Sequence, residues 1–116
     1  MDIEFNKNED VNKQLVADLK NRFKKVQEGG GAKNAAKQKE KGKMLARERI
    51  ANLIDPQSNF IEIGAFAADK MYEEHGGCPS AGVIAGIGYV SGKQCMIVAN
   101  DATVKAGAWF PMTAKK

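Results

Sequence analysis

The sequence is poor in several residue types, and each shortage excludes something. There are two cysteines in 116 residues, Cys78 and Cys95. That is too few for a disulfide scaffold and predicts reduced thiols of a cytosolic kind, Cys78 in a loop and Cys95 in a core. Only one histidine is present, His75, so Cys and His alone cannot complete a four-ligand zinc site, and no metal is expected. His75 lies among Glu73, Glu74 and glycines and reads as a solvated loop residue. The longest largely apolar run, residues 81–90, contains Gly82, Gly86 and Gly88 and is too short to span a bilayer. The opening MDIEFNKNED is acidic and has no apolar segment, so neither a secretory signal nor a transit peptide is expected. A cytoplasmic protein, or a mitochondrial matrix one in a eukaryote, is expected, without a membrane partner.

What is present is an ordinary soluble mixture, 43% hydrophobic and 28% charged. The net charge is +4 and unevenly placed. Residues 1–49 hold 13 basic and 8 acidic groups, whereas residues 50–116 hold 5 and 6. Residues 33–49 alone carry seven basic and two acidic groups. Such a patch attracts nucleic acid, an anionic surface or a phosphorylated small molecule, or is simply a solvated helix face.

Hydrophobic spacing predicts helices first and sheet second. Val11, Leu15, Leu19, Phe23 and Val26 recur at steps of four, four, four and three, which puts them on one helix face. Asn8 or Asp10 would cap this helix, and Gly29, Gly30 and Gly31 would end it. It is expected to pack as an arm on the body of the protein. Residues 34–41 are rich in good helix formers but lack an apolar face. A further helix is expected over residues 45–53, burying Leu45, Ile50, Leu53 and Ile54, and stopped by Asp55-Pro56. Phe60-Ile61-Glu62-Ile63 reads as a short strand, and residues 65–74 as a helical turn anchored by Met71 and Tyr72. Residues 83–90 and 94–99, joined across Ser91-Gly92-Lys93, read as a β-hairpin covered on both faces. Pro111 suits the first turn of a helix that begins near Thr113. With no stop signal after it, the polypeptide is expected to continue.

Several motif tests fail. Gly42-Lys43 and Gly92-Lys93 lack the upstream glycine and following hydroxyl of a phosphate loop. Gly86-Ile87-Gly88 lies inside a strand, with Ser91 where a third glycine belongs, so its glycines mark close approach by a neighbour. Two stretches survive. One is the basic run Gly42-Lys43-Met44-Leu45-Ala46-Arg47-Glu48-Arg49-Ile50. The other is the strand exit Asn100-Asp101-Ala102-Thr103-Val104-Lys105-Ala106-Gly107-Ala108-Trp109. Ligands of α/β layers gather at strand exits, and the small residues 106–108 would let a ligand touch the backbone. Asn100 and Asp101 would otherwise only form an Asx-turn. The residues leave three classes open: an enzyme segment, a basic nucleic-acid-binding module, and a non-catalytic domain acting through its amphipathic helix. Against nucleic acid, residues 33–49 contain no aromatics, and Tyr89 and Trp109 lie elsewhere.

These two stretches, with Gly29-Gly30-Gly31, Leu53-Ile54-Asp55-Pro56 and Gly86-Ile87-Gly88-Tyr89-Val90-Ser91-Gly92, occur in an order that resembles carboxyltransferase β subunits of biotin-dependent acyl-CoA carboxylases. The pattern is most similar to the methylcrotonoyl-CoA and propionyl-CoA types. The resemblance implies an α+β chain, in which N-terminal helices precede the first strands of an incomplete crotonase-like (ClpP/crotonase) ββα domain. It divides the chain into a helical arm (1–28), a basic linker and helix (29–57) and the start of the carboxyltransferase domain (58–116). It implies transfer of a carboxyl group from carboxybiotin, carried on a partner, to an acyl-CoA, with this stretch alone inactive. The implied partners are acyl-CoA, the biotin carboxylase or biotin carrier subunit, and further copies of the carboxyltransferase subunit. The residues implied at the acyl-CoA are Lys43, Arg47 and Arg49 toward its phosphates, and Thr103, Val104, Lys105, Ala106 and Gly107 along its length. The Ala108 backbone N–H is the implied oxyanion donor. Arg47 and Arg49 would otherwise pair with carboxylates such as Glu48 or Asp55 and only hold the helix.

Overall fold

Asp2 opens the first helix: its carboxylate accepts the Glu4 N–H at 3.1 Å, so capping falls well before Asn8 and Asp10. A computed structural model describes residues 2–116; the expected arm's Met1 lies outside the described residues. Helix α1 runs Ile3–Gln27 and, at 1.5 Å per residue, is about 38 Å long. Gly29, with φ at 57°, turns the chain after it. Helix α2 follows at Ala32–Glu40 and α3 at Ala46–Leu53.

Only the end of α1 meets the body. Phe23 lies 6.2 Å from the Phe66 ring, and Arg22 pairs with Asp69. Val11, Leu15 and Leu19, on the same face, are exposed. The expected arm thus meets the body through its last turns, and among the described residues the helix overshoots the surface that those turns contact.

Three strands form one antiparallel sheet in the order β1 (Ile61–Ile63), β2 (Val83–Val90), β3 (Lys93–Asn100). The β2–β3 turn uses two residues, Ser91 and Gly92, with φ of 51° and 77°. Positive φ at both positions matches the right-handed twist of the strands. Asp55 clamps this turn, because its two carboxylate oxygens accept the N–H groups of Ser91 (2.6 Å) and Gly92 (2.8 Å). So Asp55 does more than end α3. Asp55→Ala should cost about 2 kcal/mol in urea denaturation, since two charge-assisted bonds are lost. A loss below about 0.5 kcal/mol would show that the turn holds itself.

Helix α3 covers one face of the sheet. Ala46 and Ile50 pack on Ile84 and Ile97, joined by Ile54 and Phe60. The strand glycines allow close approach. A Cβ on Gly88 would stand 2.9 Å from the Ile54 side chain at the end of α3, and one on Gly86 would stand 2.3 Å from the Ile61 carbonyl oxygen and 2.5 Å from the Phe60 ring. One expectation is corrected: Leu53 points to solvent, because a helix of eight residues offers the sheet only one narrow stripe. Among the described residues one face of the hairpin is covered, and Ile61, Met96 and Val98, which the register places together on the other face, are exposed.

A second core lies under the strand exits. Ala68, Cys78, Ala81 and Val104 are buried, with Tyr72 stacked on Phe110 at 4.4 Å. Residues 65–72 are irregular turns followed by a short 3₁₀ turn, Glu73–His75; Tyr72 is an anchor, whereas Met71 is exposed. Cys78 lies in a loop segment and Cys95 on β3 against the sheet core, as expected, but the loop thiol is the more deeply buried of the two. Cys78 is buried and its thiol pKa is pushed up by desolvation, while Cys95 is half-buried beside the sheet core. Helix α4 (Pro111–Lys115) starts at the proline as expected. The Lys116 ammonium donates to the Ser80 carbonyl (2.9 Å), the Ser80 hydroxyl (2.7 Å) and the Val83 carbonyl. Desolvation lowers its pKa.

Candidate functional site

The strand exit is built as a closed loop. Asp101 donates its N–H to the Gly82 carbonyl at 2.9 Å, continuing the β2–β3 ladder by one bond. Its carboxylate then folds forward onto Thr103, accepting the N–H at 3.0 Å and the hydroxyl at 2.5 Å. This is the Asx-turn that the residue pair allows. The Thr103 hydroxyl oxygen also accepts the Gly30 N–H at 2.9 Å, across 73 residues of sequence. Thr103 and Val104 are buried, so both help hold the loop from beneath. Trp109 Nε1 donates to Asn100 Oδ1 at 3.2 Å and closes the loop's far end.

Beyond Val104 the backbone turns left-handed for three residues, with φ of 47° at Lys105, 55° at Ala106 and 84° at Gly107. Only glycine adopts this region without steric cost, so Lys105 and Ala106 are held there against a local preference. The N–H groups of Val104, Gly107 and Ala108 donate to Asp101, Val104 and Lys105 carbonyls at 3.1, 2.9 and 3.0 Å. The Ala108 N–H is therefore occupied, and serves an oxyanion only if that bond opens. The N–H groups of Lys105 and Ala106 make no hydrogen bond among the described residues.

Two grooves adjoin the loop and share Gln38, Ala102 and Thr103. In one, Lys43 and Arg49 line about 500 Å³ with Leu45, Gln38 and residues 100–103. In the other, Ala102, Thr103, Val104, Lys105 and Ala106 line about 780 Å³ with the 29–31 glycine turn and α2. Lys43, Arg49, Thr103, Val104, Lys105 and Ala106 are thus brought together around one loop. Arg47 is not among them. Its guanidinium pairs in bidentate fashion with Glu62 of β1, Nη2 standing 3.2 Å from Oε2, and lines neither groove. Arg49 makes no ion pair among the described residues, so the helix-holding alternative applies to Arg47 rather than Arg49. Glu48 accepts the Leu45 N–H at 3.1 Å and pairs with Lys39 at 2.9 Å, and the Lys39 contact is the larger cause of its lowered pKa.

Two contributions escaped the sequence. The 29–31 turn reads as a helix stop, yet Gly30 also seats the Thr103 backbone: a Cβ there would lie 1.7 Å from the Thr103 carbonyl oxygen. Lys37 and Lys41 belong to the basic patch over residues 33–49, and only their spacing of four, at the end of α2, signals that they share a groove wall.

Comparison with known proteins places this geometry. The profile of the carboxyl transferase domain family matches residues 37–116, and the chain belongs to that family. It is 48% identical, over 92% of its length, to the biotin-dependent 3-methylcrotonyl-coenzyme A carboxylase β1 subunit of Mycobacterium tuberculosis. It is 41% identical, over 97% of its length, to the mitochondrial methylcrotonoyl-CoA carboxylase β chain of Arabidopsis thaliana. The chain spans about a fifth of these relatives, 20% and 19%. Among solved structures, the transcarboxylase 12S hexamer with methylmalonyl-coenzyme A bound superposes on 90% of this chain and 21% of its own, with a TM-score of 0.81 and 32% identity. The β subunit of P. aeruginosa geranyl-CoA carboxylase matches 99% of this chain and 22% of its own, with a TM-score of 0.80 and 31% identity. The helices and three-stranded sheet are thus part of the α+β, crotonase-like fold of carboxyltransferase subunits.

Proposed function

We propose that residues 2–116 form the acyl-CoA-seating part of a carboxyltransferase subunit of a biotin-dependent acyl-CoA carboxylase. Such an enzyme moves a carboxyl group from carboxybiotin to an acyl-CoA of the methylcrotonoyl-CoA or propionyl-CoA type. The observation that carries the reading is the left-handed turn at Lys105 and Ala106, whose two N–H groups are unbonded at a strand exit flanked by cationic grooves.

Carboxylation beside a thioester requires an enolate-like state, with negative charge on the thioester oxygen. Fixed N–H donors stabilise that charge without having to reorient. The turn at Lys105–Ala106 offers such donors, and Gly107 lets a thioester approach closely. Ala108 would join them once its bond to Lys105 opens. Thr103 and Val104 keep the turn in place from below, and Lys43 and Arg49 form a cationic wall beside it. The biotin ring needs a second set of donors for its ureido oxygen. The strand-exit loop supplies one set, so carboxybiotin's contacts are not assigned to this stretch, and the group stays with its partner.

The relatives' names support a biotin-carrying partner, and the hexamer of transcarboxylase 12S supports assembly with further copies of the subunit. The Arabidopsis relative is mitochondrial, which fits a mitochondrial matrix protein in a eukaryote and a cytoplasmic one in a bacterium. Among the described residues no helix is long and apolar enough to cross a membrane.

Calorimetric titration of the protein with methylcrotonoyl-CoA and propionyl-CoA tests the reading. Saturable binding is expected. Ala106→Gly, which accepts φ of 55° freely, should retain it. Ala106→Val, a β-branched residue in that region, should weaken it about tenfold, or about 1.4 kcal/mol. Retention of the protein by RNA at moderate salt, without acyl-CoA binding, would overturn the assignment.

A further inference from the structure

We propose that Lys116 is a positioning residue for the carboxyl transfer: its ammonium locks the buried turn at Ser80–Gly82, and that turn holds the strand-exit loop that offers the Lys105 and Ala106 N–H groups to the thioester. The inference rests on the acyl-CoA reading above and adds to it a residue that acts without touching substrate.

Four observations lead there. First, the turn is held against local preference. Ser80, Ala81 and Gly82 are left-handed in succession, with φ of 53°, 53° and 71°, and only the last is a glycine. All three are buried, so protein groups rather than water must hold them. Second, the Lys116 ammonium fits that turn. Its three N–H donors meet three oxygens: the Ser80 carbonyl at 2.9 Å, the Ser80 hydroxyl at 2.7 Å and the Val83 carbonyl. It lies within ion-pair distance of no carboxylate among the described residues, so carbonyl and hydroxyl oxygens, not a salt bridge, anchor it.

Third, the lysine arrives where the sheet leaves a gap. Strand β1 pairs with residues 85–87 of β2 and stops before it reaches Val83. The Lys116 stem runs just past that end, over Gly64, where an added Cβ would stand 3.2 Å from Lys116 Cε. The Ser80 hydroxyl donates to the same Val83 carbonyl at 3.2 Å, which leaves its lone pairs free to accept from Lys116. Fourth, the turn is joined to the loop by two contacts. The Gly82 carbonyl accepts the Asp101 N–H at 2.9 Å, and the Asp101 carboxylate in turn holds Thr103. Ala81 and Val104 share one buried cluster, and a Cβ on Gly82 would lie 3.7 Å from Val104 Cγ1. The left-handed turn at 80–82 thus supports the left-handed turn at 105–107 from behind.

Fixed N–H donors stabilise an enolate-like oxygen only while they point at the place where its charge develops. A small shift of the loop therefore weakens the transition state more than it weakens binding, because most contacts of a large acyl-CoA lie away from the reacting oxygen. Loss of the Lys116 ammonium should accordingly appear in kcat and not in KM.

The test uses the full-length subunit with its biotin-carrying partner, assayed for carboxylation of methylcrotonoyl-CoA and propionyl-CoA. Lys116→Met keeps an unbranched stem and removes the ammonium. Its kcat per folded site should fall about tenfold, with KM for the acyl-CoA within about twofold of native. Amide hydrogen exchange should quicken at Asp101 and Thr103, and stay native at Ser91 and Gly92 at the far end of the hairpin. Ser80→Ala removes one of the three acceptors, should lower kcat about two- to threefold, and carries the test if the Met variant fails to fold. Asp55→Ala is the control for stability alone: it loosens the opposite end of the hairpin, so it should lower the unfolding midpoint and leave kcat of the folded enzyme unchanged. A native kcat in folded Lys116→Met, or a raised KM at native kcat, would overturn the inference, with the acyl-CoA reading intact. If the native enzyme carboxylates neither acyl-CoA, that reading falls and takes this role with it.

Discussion

Gly30→Ala should lower stability by about 3 kcal/mol, shifting the thermal midpoint by roughly 10 °C or more for a chain this small. The cause is steric. The added Cβ would overlap the Thr103 carbonyl oxygen at 1.7 Å and come within 3.1 Å of the Thr103 Cβ. Both neighbours are anchored, the first in backbone and the second in a buried side chain, so neither can yield. Relief requires the glycine turn to lift off the strand-exit loop, which breaks the Gly30–Thr103 hydrogen bond. The loss should thus appear twice, in thermal denaturation and as weakened acyl-CoA binding by whatever protein remains folded. Gly31→Ala is the control. Nothing lies within 4 Å of a Cβ there, so its cost should come from φ of 92° alone and leave the Thr103 contact in place. Equal stability of Gly30→Ala and the native protein would show that the 29–31 turn does not bear on the loop.

Arg47→Ala should cost about 2 to 3 kcal/mol. Glu62 projects from β1 into the interface with α3, and its side chain is only 9% exposed. Removing its bidentate partner leaves a nearly buried carboxylate with only the charge of Lys116 to offset it. The Arg47 side chain is 28% exposed, so water screens part of the loss, which places the value below that of a fully buried pair. Arg47→Met combined with Glu62→Gln should recover most of the difference, because no charge is then left without a partner. Urea denaturation of the two single variants and the double variant checks this as a cycle. A loss below about 0.5 kcal/mol for Arg47→Ala would mean that solvent already satisfies Glu62. Acyl-CoA affinity of folded Arg47→Ala should stay near native, since Arg47 lines neither groove beside the loop.

These two variants mark where reading along the chain ends. Helix α1 was legible because its apolar spacing repeats over 16 residues, and the hairpin because Ser91-Gly92 can adopt the positive φ angles its turn requires. The strand exit was legible as a place where ligands gather, and Asp101 makes the Asx-turn its chemistry allows. Spacing could not show that only the last turns of α1 meet the body, since a helix carries its stripe whether or not a surface faces it. Nor could it separate Arg47 from Arg49: two positions apart on α3 they point about 200° away from each other, one to Glu62 and the other to a groove.

The amino-acid sequence by itself determined the helices and the hairpin, because those rest on residues a few positions apart whose backbone preferences act locally; the family resemblance rested instead on the order of motifs along the chain. The tertiary structure alone decided which cations share a groove, which N–H groups remain open and why Gly30 cannot carry a side chain. Those depend on groups such as Gly30 and Thr103, 73 residues apart in sequence, which meet only when packing brings the glycine turn onto the strand exit.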